Sequence, residues 1–549
     1  MKGRIDISER TRALALALTK QRSMNGTSHE TSFAEFLRDL IGELPYFRAN
    51  ARDIWIESIT HDTLLRGVVV GFVRGQGQRT VVLTGHFDTV GVDDYQELEP
   101  WATEPVELAP RIVRRLEATG EDPQALDDLK SGRFLPGRGL LDMKSGLAAG
   151  LAVLEAFSEQ ENRHGNLLFL AVPDEEDSSI GMRFAASLLS RFAKDQGINL
   201  SLVVNLDALG DEGDGSKGQA VALGAIGKTL LSAYVIGQET HACYPFDGLS
   251  ASLIAAELVR LIECSPDFAD RAGPPPSTLA MRDLKGAYSV TTPSRAWCSW
   301  NIISHGRKAT DILARVTEDA QNSMDELVQH LSCSAERLGA VDSFKRFERK
   351  QITIFTYESL LRQIETQQPT FRSKLDRITR DISAQTALDL PTRAQKILEH
   401  VWREGGLSGP AVVFGFASMP YPATKTLKEI SPLLFDCVVQ AMTEVSNRHR
   451  VSIHLSDRLD VIADTSFLGP IDLDDLNAVA ANTPIWSSSI RWDTAKAPTP
   501  GLPTINAGPW GRGYHRWLER VQIRYAFEVL PDLLTAICHS VLCANENEP

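Results

Sequence analysis

Residues 80–90 read TVVLTGHFDTV, and this stretch decides the fold. Residues 80–84 are apolar or β-branched without the alternation of a half-exposed strand, so they form a short strand buried on both faces. It stops at Gly85 and His86. Similar runs lie on either side of it. Residues 64–72 are valine-rich, residues 166–172 (NLLFLAV) end at Pro173, and residues 202–206 (LVVNL) make a fourth strand. Between the strands the period changes. Residues 31–40 suit a helix, and in residues 140–157 Leu147, Leu151 and Leu154 mark one helical face. Strand alternating with helix gives an α/β fold, a wound, mixed but mostly parallel sheet flanked by helices.

Past this core the composition shifts. Residues 210–218 (GDEGDGSKG) are glycine-rich and acidic and read as a boundary. Two strand-plus-helix units follow, at 221–237 with 250–262 and at 286–304 with 310–337, and a strand near 351–357 closes the set. Residues 370–403 are helical, with Pro391 opening the second helix. Residues 411–416 (AVVFGF) resume the buried-strand pattern, and a last helix is expected over 516–538. The expected division is a catalytic α/β domain, first part, over 1–212. An inserted α+β domain follows over 213–360. A helical segment and the second part of the catalytic domain occupy 361–549.

The chain has 549 residues, 43% of them hydrophobic, which suffices for more than one core. No run of eighteen uninterrupted apolar residues occurs, which excludes an obvious membrane span. The N-terminal MKGRIDISERTRALALALTK reads as an amphipathic helix, not a signal peptide. Seven scattered cysteines without a CxxC pair argue against a disulfide framework and a thiolate zinc site, so a reducing, cytoplasmic setting is expected. A net charge of -14 with no basic, aromatic-laced stripe argues against nucleic acid as a partner.

The histidines and carboxylates carry the chemistry by their positions. His86 follows a buried strand, with Asp88 two residues on. Strand carboxyl ends are where open α/β sheets place their sites. A ligating imidazole usually gives its other N–H to a carboxylate, a role open to Asp88. The plainer alternative is a His and an Asp capping a turn. Asp142, in GRGLLDMKSG, could be an ordinary N-cap. Glu175 and Glu176, in PDEEDSS, stand among four acids that repel one another unless a cation intervenes, though a solvated acidic turn would look the same. Asp207 again follows a strand. Together these groups fall on one rim of a wound sheet. Nitrogen and oxygen donors without thiolate suit zinc, with cobalt or manganese as alternatives. A non-ligating glutamate beside a ligating one can take a proton from the attacking water.

On these motifs the chain resembles the co-catalytic zinc deacylases and exopeptidases of clan MH. That group includes acetylornithine deacetylase, succinyl-diaminopimelate desuccinylase, peptidase T and the glutamate carboxypeptidases. GHFDTV is similar to its His-x-Asp motif, GRGLLDMKSG to its bridging-aspartate motif, and Glu175-Glu176 to its base-plus-ligand pair. WGRGYHRWLERV, with His515 and Glu519, is similar to its C-terminal His motif. The resemblance implies two divalent metal ions per chain. Asp142 bridges them, His86 and Asp207 complete one site, and Glu176 and His515 complete the other. It makes Glu175 the general base and Asp88 the support of His86. The inserted domain becomes a lid and dimerisation domain. Within its GQETHACYPFDGLSA, His241 would stabilise the oxyanion from across a homodimer. Arg295, Arg307 and Asn301 are candidates for binding substrate. The length and layout are similar to a long subgroup typified by the arginine-utilisation protein RocB, which implies a link to arginine or amino-acid catabolism.

The function expected is metal-dependent hydrolysis of an amide or peptide bond in a small N-acyl amino acid or short peptide. Two alternatives stand beside it. Two-metal sites also serve phosphohydrolases, for which the motifs offer only Arg138 and Lys144 as nearby cations. A non-catalytic small-ligand binder of the same fold would have no need of Glu175.

Overall fold

The computed structural model describes residues 6–60, 62–270, 273–342, 351–385, 387–459, 461–490, 492 and 501–544. The chain divides into two units. The first comprises the described residues of Met1–Ala225, Thr424–Pro470 and Ala495–Pro549, and the second those of Ile226–Ala423 and Ile471–Thr494.

The main sheet of the first unit has eight strands. They are β1 (Ile54–Ser58), β2 (Gly67–Val73), β3 (Gln76–His86), β5 (His164–Val172), β6 (Asn199–Asn205), β8 (Ala220–Ala222), β14 (His454–Ser456) and β15 (Thr504–Asn506). Their order is β1-β2-β5-β3-β6-β15-β8-β14. Neighbours from β5 through β15 are parallel, whereas β1, β2 and β8 are joined antiparallel, so the sheet is mixed with a parallel centre. All seven residues of β2 are buried, as expected of a strand covered on both faces. A smaller four-stranded sheet joins β4 (Phe134–Pro136), β17 (Arg520–Gln522), β16 (Trp510–Arg512) and β7 (Leu209–Gly210), in that order.

The helix Ser145–Ser158 lies against the sheet so closely that glycine is required. A Cβ at Gly146 would fall 2.0 Å from the Leu206 carbonyl, and one at Gly150 2.6 Å from the Leu206 side chain. This approach sets the helix that follows Asp142 against Leu206, just past the end of β6 and one residue before Asp207. Leu147, Leu151 and Leu154 join Leu534, Ile537 and Val541 of the C-terminal helix in one apolar core. That helix, Tyr525–Cys543, is long and apolar enough to cross a membrane by length and composition, but 61% of its apolar window is buried in the protein.

The second unit has a five-stranded sheet, β10 (Ser277–Asp283), β11 (Arg295–Ser304), β9 (Gly227–Ile236), β13 (Ala411–Phe416) and β12 (Thr353–Thr356), in that order. The helices Ala251–Ile262 and Ala309–Arg337 share its apolar core.

Several elements differ from the sequence reading. The run at 221–237 is two strands in two sheets, β8 and β9. The turn between them is pinned by Thr424 Oγ1, which accepts from the Ala225 N–H at 2.8 Å, and an unbroken apolar run gives no sign of such a switch. Residues 411–416 are a buried strand as read, but they pair with β9 and β12. Burial on both faces does not name a partner. The strand expected over 286–304 begins at Arg295, and β10 at the sheet edge, with Leu279 and Met281 exposed, lacked the buried signature. The helix expected from residue 516 starts only at Tyr525, because residues 520–522 pair with β4 and β16 instead.

Candidate metal centre

Five segments bring acids and imidazoles together at the carboxyl ends of the central strands. β3 ends at His86, β5 ends at Val172 before Glu175 and Glu176, and β6 ends at Asn205 before Asp207. Asp142 precedes the helix Ser145–Ser158, and His515 stands between β16 and β17. His515 has φ 57°, a left-handed backbone uncommon for a residue with a side chain, as is found at sites where the surrounding structure imposes the geometry.

Two triads result, His86–Asp142–Asp207 and Asp142–Glu176–His515, in each of which the donor atoms lie within 4.8 Å of one another. Asp142 is shared. Its Oδ1 is 3.0 Å from His86 Nε2, and its Oδ2 is 2.8 Å from His515 Nε2. Asp207 is 3.7 Å from His86 Nε2, and Glu176 is 3.2 Å from His515 Nε2. Ligand bonds of about 2.0–2.2 Å put neighbouring donors about 3.3 Å apart on a tetrahedron, so either triad could hold a divalent cation. The all-nitrogen-and-oxygen donor set fits zinc, cobalt or manganese alike.

Supporting contacts fix these donors. His86 Nδ1 lies 3.0 Å from the main-chain carbonyl of Asp88, which leaves Nε2 to face the cluster. The Asp88 carboxylate is farther from that ring, at 3.6 Å, and accepts from Asn25 Nδ2 at 2.9 Å and from the N–H groups of Glu175 and Glu176 at 3.1 and 3.2 Å. It therefore clamps the glutamate turn more directly than the imidazole. Asp174, at φ 72°, accepts from Arg66, Ser178 Oγ and the Ile180 N–H. Arg66 is buried and also meets Asp62 and Glu30. On the other side, Glu519 Oε1 accepts the N–H groups of Leu141 and Asp142 at 3.1 and 3.3 Å, and Arg138 donates to its Oε2 at 2.7 Å.

Electrostatics sets the two glutamates among many acids. Burial, followed by Asp207, Asp464 and Glu176, pushes the Glu175 carboxyl well above its ordinary range, against the pull of His86. Burial and then Asp142 push up Glu176 as well. Burial alone would lower His515, but Asp142 and Glu176 raise it to about 10. His86 is raised in the same way by Asp142, Asp207 and Asp88. Burial holds the Asp464 carboxyl up at about 7.

The four other residues singled out by sequence lie in the second unit. His241 is exposed, and its Nδ1 accepts the Cys243 N–H at 3.1 Å. Arg295 pairs with Glu399 at 3.0 Å. Arg307 donates to the Asp267 carbonyl at 2.6 Å. Asn301 has a buried Oδ1 with no partner among the described residues. Sequence reasoning missed Asn25, Arg66 and Asp464. The first two are distant in the chain from the groups they hold, and Asp464 sits in a short turn without a motif, so no local signal marked them.

The sequence model of peptidase family M20/M25/M40 matches residues 82–445. The chain is 28% identical over 552 residues to the uncharacterized protein YqjN of Bacillus subtilis, covering 97% of both chains. It is 29% identical over 539 residues to Protein RocB of the same organism, covering 96% of this chain and 94% of that one. Among solved structures, a tripeptidase from Staphylococcus aureus superposes with a TM-score of 0.52 at 16% identity, covering 99% of this chain and 100% of the other, a likeness of fold.

Proposed function

Because this chain belongs to peptidase family M20/M25/M40, we propose that it hydrolyses an amide or peptide bond in a small N-acyl amino acid or short peptide. The observation that carries the reading is the pair of nitrogen-and-oxygen triads sharing Asp142. In this reading His86 and Asp207 would hold one divalent ion and Glu176 and His515 the other, with Asp142 a donor common to both groups. Bound there, divalent ions would supply Lewis acidity toward a carbonyl oxygen and toward water.

The chain's own groups do the rest. The Glu175 carboxylate accepts the proton of the attacking water and returns it to the leaving nitrogen. Burial and the neighbouring acids raise its carboxyl, and divalent cations held by the triads would favour the ionised form that accepts a proton. Asp88 accepts from the main-chain N–H groups of Glu175 and Glu176, which fixes the turn that presents the base. His241 Nδ1 is occupied as an acceptor, which places the ring proton on Nε2 and leaves a donor for an oxyanion. We assign the second unit the role of a lid and dimerisation domain that brings His241 to the reaction by closure or from a second subunit. Seven unpaired cysteines support a reducing compartment such as the cytoplasm.

A screen of N-acyl amino acids and dipeptides, with the protein stripped by chelator and then reloaded with zinc, cobalt or manganese, tests the proposal. Hydrolysis that vanishes on stripping and returns on reloading is expected. Turnover that persists without metal, or phosphate-ester cleavage with no amide cleavage, contradicts it.

A further inference from the structure

A stretch of chain near the N-terminus runs alongside the loop that follows β3. Met24 pairs with Thr89 in a parallel bridge. Asn25 donates its main-chain N–H to the Thr89 carbonyl at 2.9 Å, and Thr89 donates to the Ser23 carbonyl at 3.1 Å. Ser23 Oγ donates to the Phe87 carbonyl at 2.5 Å. These bonds fix the backbone of Asn25 beside Asp88 and commit its side chain to one place.

That side chain stands between two acids. Asn25 Nδ2 donates to Asp88 Oδ2 at 2.9 Å and to Asp174 Oδ1 at 3.5 Å. Both acids hold the glutamate turn. Asp88 accepts the N–H groups of Glu175 and Glu176. Asp174, at φ 72°, accepts from Ser178 Oγ at 2.6 Å and from the Ile180 N–H at 3.1 Å. A left-handed residue with a side chain persists only where its surroundings impose it. Two converging carboxylates repel, and an uncharged amide NH₂ has two N–H groups, one for each. Carboxylates only accept, so the amide must turn its nitrogen toward them. Arg66 meets the same oxygen of Asp174 and supplies the positive charge. Arg66 thus ties Asp174 to the start of β2, and Asn25 ties Asp174 to Asp88.

We propose that Asn25 is a positioning residue of the reaction, which acts through Asp88 and Asp174 to fix the backbone turn from which Glu175 projects. This rests on the hydrolase reading with Glu175 as the base, and adds to it a residue 149 positions before Asp174 and outside the ligand motifs.

Steady-state rates of the zinc-loaded chain on N-acetyl amino acids and dipeptides, with Asn25→Ala and Asn25→Asp beside the unaltered protein, test the assignment. Asn25→Ala should lose roughly 10- to 100-fold in kcat, the scale of removing a partner that orients a site, with KM and metal content kept. Asn25→Asp has nearly the same shape but sets a third carboxylate where a donor stood, so it should lose more. In a Glu175→Gln chain, Asn25→Ala should lower the residual rate no further, because effects that act through one group do not add. A residue of general structural importance would lower both backgrounds alike. Hydrogen exchange read by mass spectrometry needs no turnover. Residues 174–180 should exchange faster in Asn25→Ala, while β3, β5 and β6 match the unaltered chain. An unchanged kcat in folded Asn25→Ala, full activity in Asn25→Asp, equal losses in both backgrounds, or unchanged exchange over 174–180 overturns the proposal. Failure of the hydrolase reading looks different, since no chain would then cleave an amide while the exchange difference stood.

Discussion

Glu175 and Glu176 are chemically identical neighbours, and their surroundings divide the labour proposed for them. Glu176 reaches His515 at 3.2 Å, whereas Glu175 faces the charges of His86, Asp207 and Asp464. Glu175→Gln should therefore keep its metal and its fold and lose turnover by roughly 10²-fold or more, the scale of general-base catalysis. Glu176→Gln should instead lower the occupancy of one ion. Elemental analysis beside steady-state rates separates them, and full turnover in Glu175→Gln would remove the base. Glu30 supplies a pH test. Burial, and then Asp88, raise its carboxyl to about 8 despite Arg66. A carboxyl raised above its unfolded value contributes stability below about pH 4.5 and loses it as pH rises through about 8. Wild type should thus lose stability relative to Glu30→Gln between pH 5 and pH 9, by at least roughly 1 kcal/mol. Denaturation melts that track each other across that range would show Glu30 to be ionised throughout.

At the scale of elements, the β16–β17 hairpin and the segment before the helix Ser145–Ser158 are joined by one carboxylate, that of Glu519. It holds the N–H groups of Leu141 and Asp142 while its own hairpin presents His515. Glu519→Gln turns a donor amide toward Arg138 and loses one arm of this clamp. Metal affinity should fall by roughly 10- to 100-fold while the fold is kept, the usual cost of removing a partner that orients a ligand. Competition with a chromophoric chelator measures it, and unchanged affinity would make Glu519 a packing residue only. The hairpin also shows where sequence stops being legible. TVVLTGHFDTV and NLLFLAV announce their strands because burial on both faces leaves no polar residue to blur the pattern. Residues 516–522 read as helix because Leu518, Val521 and Tyr525 recur at helical spacing, yet Val521 is paired with Leu135 of β4. Long-range pairing overrode the local period.

At the scale of the whole molecule, the five proposed ligands were legible because each stands just past a strand or in a recognisable motif. The contacts that hold them were not. Asn25 and Arg66 act on Asp88 and Asp174 across 63 and 108 residues of chain, and no periodicity spans such distances. The partner of β13 was hidden for the same reason. His241 belongs to this scale, because its proposed role needs either closure or a second subunit. Mixing Glu175→Gln chains with His241→Ala chains under subunit exchange should restore activity at the hybrid site if delivery crosses a dimer. No recovery, with hybrid dimers confirmed by native mass spectrometry, leaves closure within one chain.

The central claim is that two cation sites share Asp142, and the metal content of Asp142→Ala tests it most directly. The unaltered chain, loaded with zinc and freed of excess, should carry about two ions, and the variant should be depleted at both sites while remaining folded by circular dichroism. A variant that keeps the full metal content, or loses a single ion and leaves the other undisturbed, would contradict the shared carboxylate and the mechanism built on it.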